Sequence, residues 1–159
     1  MRLNWYDVSP NSYQVMKGLE NFVEQSKLEP KLKELINIRA SQINGCGYCV
    51  DRHTKDALAI GEKEQRINLL TVWREAPIYT EREKAALAWC EALTLVNETG
   101  APDSAYKGLE NVFKPEEIVE LTIAIVTINS WSRLSVGFRS EIGHYVSSKQ
   151  VHQDPGFML

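Results

Sequence analysis

Apolar positions recur along this chain at helical spacing. Residues Tyr13 to Leu28 place Val15, Met16, Leu19, Phe22 and Val23 near a 3.6-residue period, which predicts a helix. Glu29-Pro30 breaks that helix and starts another, since proline suits a first helical turn. The second runs from about Lys31 to Ile43, with Leu32, Leu35, Ile36 and Ile43 on one stripe. Asn44-Gly45 reads as a turn. A third helix is expected from near Cys46 to Ile60, with Gly61 as its stop. A short helix from about Lys63 to Trp73 precedes a loop at Ala76-Pro77. Thr80-Glu81-Arg82-Glu83 is a capping box. The helix it opens carries Ala85, Ala86, Leu87, Ala88, Trp89, Cys90, Ala92 and Leu93, a composition that favours close packing. Asp103 is placed to cap another short helix ending near Phe113, and Pro115-Glu116-Glu117 opens the last long one, with acids where the helix dipole favours them.

That last helix is apolar nearly all round: Ile118, Val119, Leu121, Ile123, Ile125, Val126, Ile128, Trp131 and Leu134 leave no polar face. Such a helix is buried on every side, and in a short chain this is easier if subunits associate. Its Ile, Val and Thr content competes for strand, but its length exceeds a normal strand. The expected fold is therefore all-α, one domain over residues 1–159, with a core over about 13–139, a loose polar tail after about 147, and self-association through the C-terminal helix.

Composition changes this picture little. Hydrophobic residues make up 43% and charged residues 25%, with a formal net charge of −3, as in ordinary globular proteins. No basic tract points to nucleic acid. The apolar stretch from Ile118 to Phe138 is interrupted by Glu120, Asn129 and Arg133, which disfavours a membrane span. The first residues, Met1-Arg2-Leu3-Asn4-Trp5-Tyr6-Asp7, have no signal-peptide core, so a cytoplasmic location is expected. Three cysteines without a secretion signal argue against a structural disulfide framework.

The chemistry concentrates in Asn44-Gly45-Cys46-Gly47-Tyr48-Cys49-Val50-Asp51-Arg52-His53. On a helix, Cys46, Cys49 and His53 share a face. Two thiols near a helix N-terminus are favoured as thiolates, and an imidazole one turn beyond Cys49 can take or supply a proton. A thiolate attacking a peroxide O–O bond becomes a sulfenic acid, which a second thiol condenses to a disulfide. A reductant must then reopen it. Glu34 and His53 are the nearest candidates for proton traffic, although spacing alone leaves Glu34 an ordinary solvated helix carboxylate.

The string from Glu34 through Ser41-Gln42-Ile43-Asn44-Gly45-Cys46-Gly47-Tyr48-Cys49-Val50-Asp51-Arg52-His53-Thr54 resembles the core motif of the alkylhydroperoxidase D-like (AhpD-like) branch of the carboxymuconolactone decarboxylase family. Tyr79 to Leu87 is similar to its second recurrent segment, and Asn129 to Arg133 to its C-terminal helix. The resemblance implies an AhpD-like fold of about six to eight helices that forms homo-oligomers, often trimers or hexamers, with a dimer also allowed. It implies a peroxidase in which Cys49 attacks a hydroperoxide, Cys46 resolves, and Glu34 and His53 relay protons. It further implies a dithiol reductant of the lipoyl type. The chain departs from the family pattern at Tyr48, where a histidine is usual; a phenol is the weaker base near neutral pH, and Tyr48 is read as a pocket wall. The decarboxylase branch does not carry the cysteine pair, which makes decarboxylation the poorer inheritance.

Other readings stay open. The cysteines could serve a dithiol–disulfide exchange protein or redox sensor with negligible peroxide turnover, or remain inert in a non-enzymatic helical assembly module. A structural zinc site needs about four ligands, and Cys90, His144 and His152 have no ligand spacing. No metal, flavin, haem or nucleotide motif is visible, so no tightly bound cofactor is expected. Cys90 reads as a buried small hydrophobe, and Trp5, Trp73, Trp89 and Trp131 as core or interface anchors. Asn129 and Arg133, one turn apart on an apolar helix, need partners; a clamp on a neighbouring subunit and a place in the pocket wall are both open.

Overall fold

In a computed structural model of the chain, residues 1–149 are described. The fold is all-α, as the periodicity predicts, and no strand occurs among the described residues. In chain order the helices are α1 (Trp5–Val8), α2 (Pro10–Gln25), α3 (Pro30–Ile43), α4 (Gly47–Ala59), α5 (Glu64–Asn68), α6 (Glu81–Thr94), α7 (Val96–Thr99), α8 (Asp103–Glu110) and α9 (Pro115–Phe138). Seven of these described helices exceed one turn; α1 and α7 are single turns.

Helix starts follow local chemistry. Pro10, Pro30 and Pro115 each sit in the first turn, where a missing N–H costs nothing. Pro10 moves the start of α2 three residues ahead of the Tyr13 expected from periodicity. Thr80 forms the expected capping box with Glu83. Gly45 takes the left-handed conformation in the α3–α4 turn (φ 63°), as does Gly61 after α4 (φ 80°). The helix expected over Lys63–Trp73 divides: α5 ends at Asn68 and a 3-10 turn, Leu69–Val72, carries the chain on, burying Leu70 and bringing Trp73 into the core. Asp103 is the first residue of α8 rather than its cap, and α8 ends at Glu110.

The central helix is α3, packed against α4, α6 and α9. Burial on several sides encloses Leu35, Ile36, Ile38 and Ala40 together with Glu34 and Ser41. Each buried Leu or Ile contributes about 1.5–3 kcal/mol. The single apolar stripe expected for α3 is therefore too narrow. On α2 the reverse holds: Val15 and Phe22, two turns apart, face outward, and the core takes Val23 instead. On α9, Val119 and Val126 are exposed in the single chain, so this helix is not buried on every side within one copy. Among the described residues, no helix is long and apolar enough to cross a membrane.

Asn129 is neither pocket wall nor free. Its Nδ2 donates to Thr94 Oγ1 and to Ile125 O, its Oδ1 accepts from Asn44 Nδ2 at 3.0 Å, and Arg133 Nη1 donates to the same Oδ1. The residue ties the α3–α4 turn to α6 and α9. Trp5 is buried against Trp131, Tyr13 and Phe138, tying α1 and α2 to α9.

Candidate active site

The α3–α4 hairpin brings the sequence-predicted residues together. Cys46 is the N-cap of α4, and its Sγ accepts a hydrogen bond from the Cys49 amide at 3.3 Å. Cys46 and Cys49 are joined as a disulfide, with Cα atoms 5.3 Å apart. Both are buried, Cys46 at 1% and Cys49 at 3% exposure. They differ in what they face. Cys49 lines a cavity of about 500 Å³ and Cys46 does not. Ser132 of α9, itself buried, donates its hydroxyl to Cys49 Sγ at 3.7 Å.

Tyr48, Glu34 and His53 line the same cavity. Glu34 is 1% exposed, which overturns the solvated-carboxylate reading of that residue taken alone. Its Oε2 lies 2.8 Å from His53 Nδ1, and its Oε1 accepts from Lys149 Nζ. Burial pushes its carboxyl up, but the His53 hydrogen bond, the His53 charge and the Lys149 ammonium outweigh burial and hold it at about 2. Glu34 is therefore an ionised acceptor at neutral pH. A carboxylate on Nδ1 fixes a neutral imidazole with its proton there and leaves Nε2 as the basic nitrogen.

Three participants were not singled out from the sequence. Asp56 is 1% exposed; its Oδ1 accepts from Tyr145 and Ser147 hydroxyls, and its Oδ2 lies 4.0 Å from Lys149 Nζ. A signal for it existed: Cys49, His53 and Asp56 stand at i, i+4 and i+7 on α4. Ser132 and Lys149 had none, because their roles depend on long-range folding. Burial and the Asp56 carboxylate beside it push the Tyr145 phenol up to about 12. Lys149 falls within the tail expected to be loose, yet it reaches Glu34; residues 150–159, including His152, lie outside the described residues. His144 is exposed.

Ligand atoms of Glu34, His53 and Asp56 lie within 4.8 Å of one another, the one grouping of metal-binding spacing among the described residues. The Lys149 ammonium already supplies positive charge to its carboxylates. Neither thiol of the Cys-x-x-Cys segment belongs to it.

The arrangement can support thiol redox chemistry: a sulfur at a cavity wall, a second sulfur bonded to it, and an oriented imidazole one turn along the same helix. Comparison with known proteins gives the family and the fold. The profile of the carboxymuconolactone decarboxylase family matches residues 10–92, which contain the whole hairpin. Bacillus subtilis (strain 168) YdfG is 38% identical over 148 residues, 93% of this chain and 98% of that one. The crystal structure of ATU0492 from Agrobacterium tumefaciens, a protein of unknown function proposed to be an antioxidant defence protein, AhpD, superposes with a TM-score of 0.88 at 49% identity. That match covers 91% of this chain and 99% of the other. The debrominase Bmp8 shares the fold at 20% identity, with a TM-score of 0.75 over 87% of this chain and 74% of its own.

Proposed function

Because the chain belongs to the carboxymuconolactone decarboxylase family, with an AhpD-like all-helical fold and a bonded Cys-x-x-Cys pair, we propose that it is a thiol-dependent peroxidase for hydrogen peroxide or small organic hydroperoxides. The observation that carries this reading is the asymmetry of the pair: Cys49 lines the cavity that holds the Glu34–His53 couple, and Cys46 does not.

In the reduced protein the Cys49 thiolate attacks the distal peroxide oxygen. The O–O bond breaks, Cys49 becomes a sulfenic acid, and the departing alkoxide or hydroxide takes a proton. His53 is the group that moves protons, accepting the thiol proton at Nε2 and returning it to the leaving oxygen. Glu34 holds the other ring nitrogen and stays ionised. Ser132 donates to the sulfur. The Cys46 thiol, favoured as thiolate by the Cys49 amide, then displaces hydroxide from the sulfenic acid, giving water and the disulfide. A dithiol attacks the bond through a mixed-disulfide intermediate, returns both sulfurs to thiols and leaves as its own cyclic disulfide. Tyr48 serves as cavity wall. The cycle suits a reducing, cytoplasmic compartment, and the exposed valines of α9 support the reading that copies associate through this helix.

The test is peroxide consumption with a dithiol reductant by the wild type and by Cys49→Ser. Turnover that persists in the variant ends the proposal. A pair that peroxide oxidises no faster than a small disulfide does would assign the chain to dithiol–disulfide exchange instead.

A further inference from the structure

The segment that follows α9 lies across the site. Ile142 packs on Gly47, between the two cysteines: a Cβ built on Gly47 would meet Ile142 Cδ1 at 2.7 Å. Gly143 N donates to Asp51 Oδ2, and Lys55 Nζ donates to Tyr145 O at 3.0 Å. Tyr145 and Ser147 donate to Asp56, and Lys149 closes on Glu34. Tyr145, Ser148 and Lys149 form part of the cavity wall.

The way this strap is held matters. Among the described residues, no main-chain to main-chain hydrogen bond involves 141–149. Its residues are exposed or half-buried, and Ile142 is 59% exposed. An exposed segment fixed by side-chain polar contacts, with little apolar burial, belongs to the part of a protein that opens locally. Its contacts, however, are to residues of the α3–α4 hairpin: Asp51, Lys55 and Asp56 on α4 and Glu34 on α3. The strap is loosely built, but two of the groups it docks on, Glu34 and Asp56, are buried in the hairpin.

What lies beneath has two reaction partners of different bulk. Hydrogen peroxide is little larger than water and needs only the cavity. A dithiol must bring a sulfur in line with the Cys46–Cys49 bond, and both cysteines are at most 3% exposed. The turn between them is covered by Ile142. We propose that the strap Ile142–Lys149 is a gate for the reductant, with the Lys149–Glu34 ion pair as its latch. Closed, it admits peroxide to Cys49; open, it uncovers the disulfide for the incoming dithiol. This rests on the reading of Cys46–Cys49 as a redox pair, but not on peroxide being the oxidant.

The gate is tested on the reduction half alone. Protein oxidised beforehand with diamide is mixed with dihydrolipoamide, and free thiols are trapped by alkylation and counted by mass spectrometry. A charge-assisted contact removed from the closed state raises the open population, so Lys149→Ala is expected to be reduced on the order of ten-fold faster. Lys149→Arg keeps the latch and should stay near the wild-type rate. A chain ending at Glu141, without any strap, should be reduced at least as fast as Lys149→Ala. Ile142→Ala, which thins the cover on Gly47 and leaves Glu34 and His53 untouched, should also be reduced faster, while its oxidation by hydrogen peroxide changes less than about two-fold. Reduction rates that do not rise in Lys149→Ala or in the shortened chain overturn the gate, even if peroxidase activity is intact. Faster reduction in a protein that turns over no peroxide upholds the gate and removes only the peroxidase reading.

Discussion

Glu34 and Glu91 look alike on paper. Both belong to helices of the core, both are held below the usual carboxylate range, and each has a cysteine in its neighbourhood. Their surroundings differ. Glu91, on α6, accepts from Arg39 Nε and Trp73 Nε1, each at 2.8 Å, and pairs with Arg74. Burial pushes it up, and hydrogen bonds from Trp73, Arg74 and Arg39 bring it down. Neither Glu91 nor its neighbour Cys90 lines the cavity. Cys90 is 0% exposed and donates weakly to the Ile36 carbonyl at 3.6 Å, and burial pushes its thiol up to about 12. Glu34 instead shares its oxygens between His53, which faces the cavity, and Lys149, from an exposed strap. Packed partners make a carboxylate a joint; a partner at a cavity and a partner that can leave make it a working group. Residue type is the same in both places, and access decides.

The widest separation between the two regions is expected in the sulfurs. Cys49→Ser removes the attacking atom and should lower peroxide turnover by at least about a thousand-fold. Cys90→Ser should leave turnover within about two-fold, since a thiol held near 12 contributes no thiolate at neutral pH. Coupled peroxide-consumption assays on the two variants check both. A comparable loss in Cys90→Ser would erase the distinction.

The carboxylates come next. Glu34→Gln removes the anion that fixes the His53 tautomer and should slow peroxide oxidation of the reduced protein by about 10–100-fold, with a changed pH profile. Glu91→Gln should leave that rate near wild type but cost about 1–3 kcal/mol of stability, because Arg39 and Arg74 lose their charged acceptor. Stopped-flow oxidation and urea unfolding on the same pair of proteins separate the two roles.

How far this contrast could be read from the chain follows from its physics. Cys46, Cys49 and His53 were legible because helical spacing and a turn at Asn44-Gly45 are local rules, whereas Glu34 was singled out by the family resemblance and not by spacing. So was the Thr80–Glu83 box. The outward turn of Val15 and Phe22 on α2 was not, because a helical period gives an apolar face without saying which side of it meets the core. The contacts of Asn129 with Asn44 and Thr94, the hydroxyl of Ser132 on Cys49 and the reach of Lys149 to Glu34 all span 35 to 115 positions of sequence. Polar composition made the tail look loose, and composition carries no information about a buried carboxylate waiting elsewhere in the fold.

Acid should act on both carboxylates in the same sense. Each has a folded pKa below its unfolded one, so the stability it contributes is complete above the ordinary carboxylate range and is lost as pH falls through the folded value. For Glu34 the window runs from 4.5 down to about 2. Glu34→Gln should therefore flatten the fall in stability across that window, as should Glu91→Gln over its own. Urea midpoints taken at about pH 7, 4 and 2.5 give the measurement. A slope through this range unchanged by Glu34→Gln would mean that His53 and Lys149 do not hold that carboxylate in solution.

The smallest effect is expected where the comparison is most easily broken. Cys90→Ala removes one sulfur from a packed site and should cost about 1 kcal/mol. The hydrogen bond it gives up is weak, and the Ile36 carbonyl lies inside α3, where the helix supplies its own donor. No buried group is orphaned, so the loss is one of packing alone. The same burial predicts reactivity: in reduced native protein iodoacetamide should label Cys49 and spare Cys90 until denaturant is added. If Cys90 is alkylated as fast as Cys49 in the folded state, α6 opens as freely as the strap does, and access no longer distinguishes the two regions.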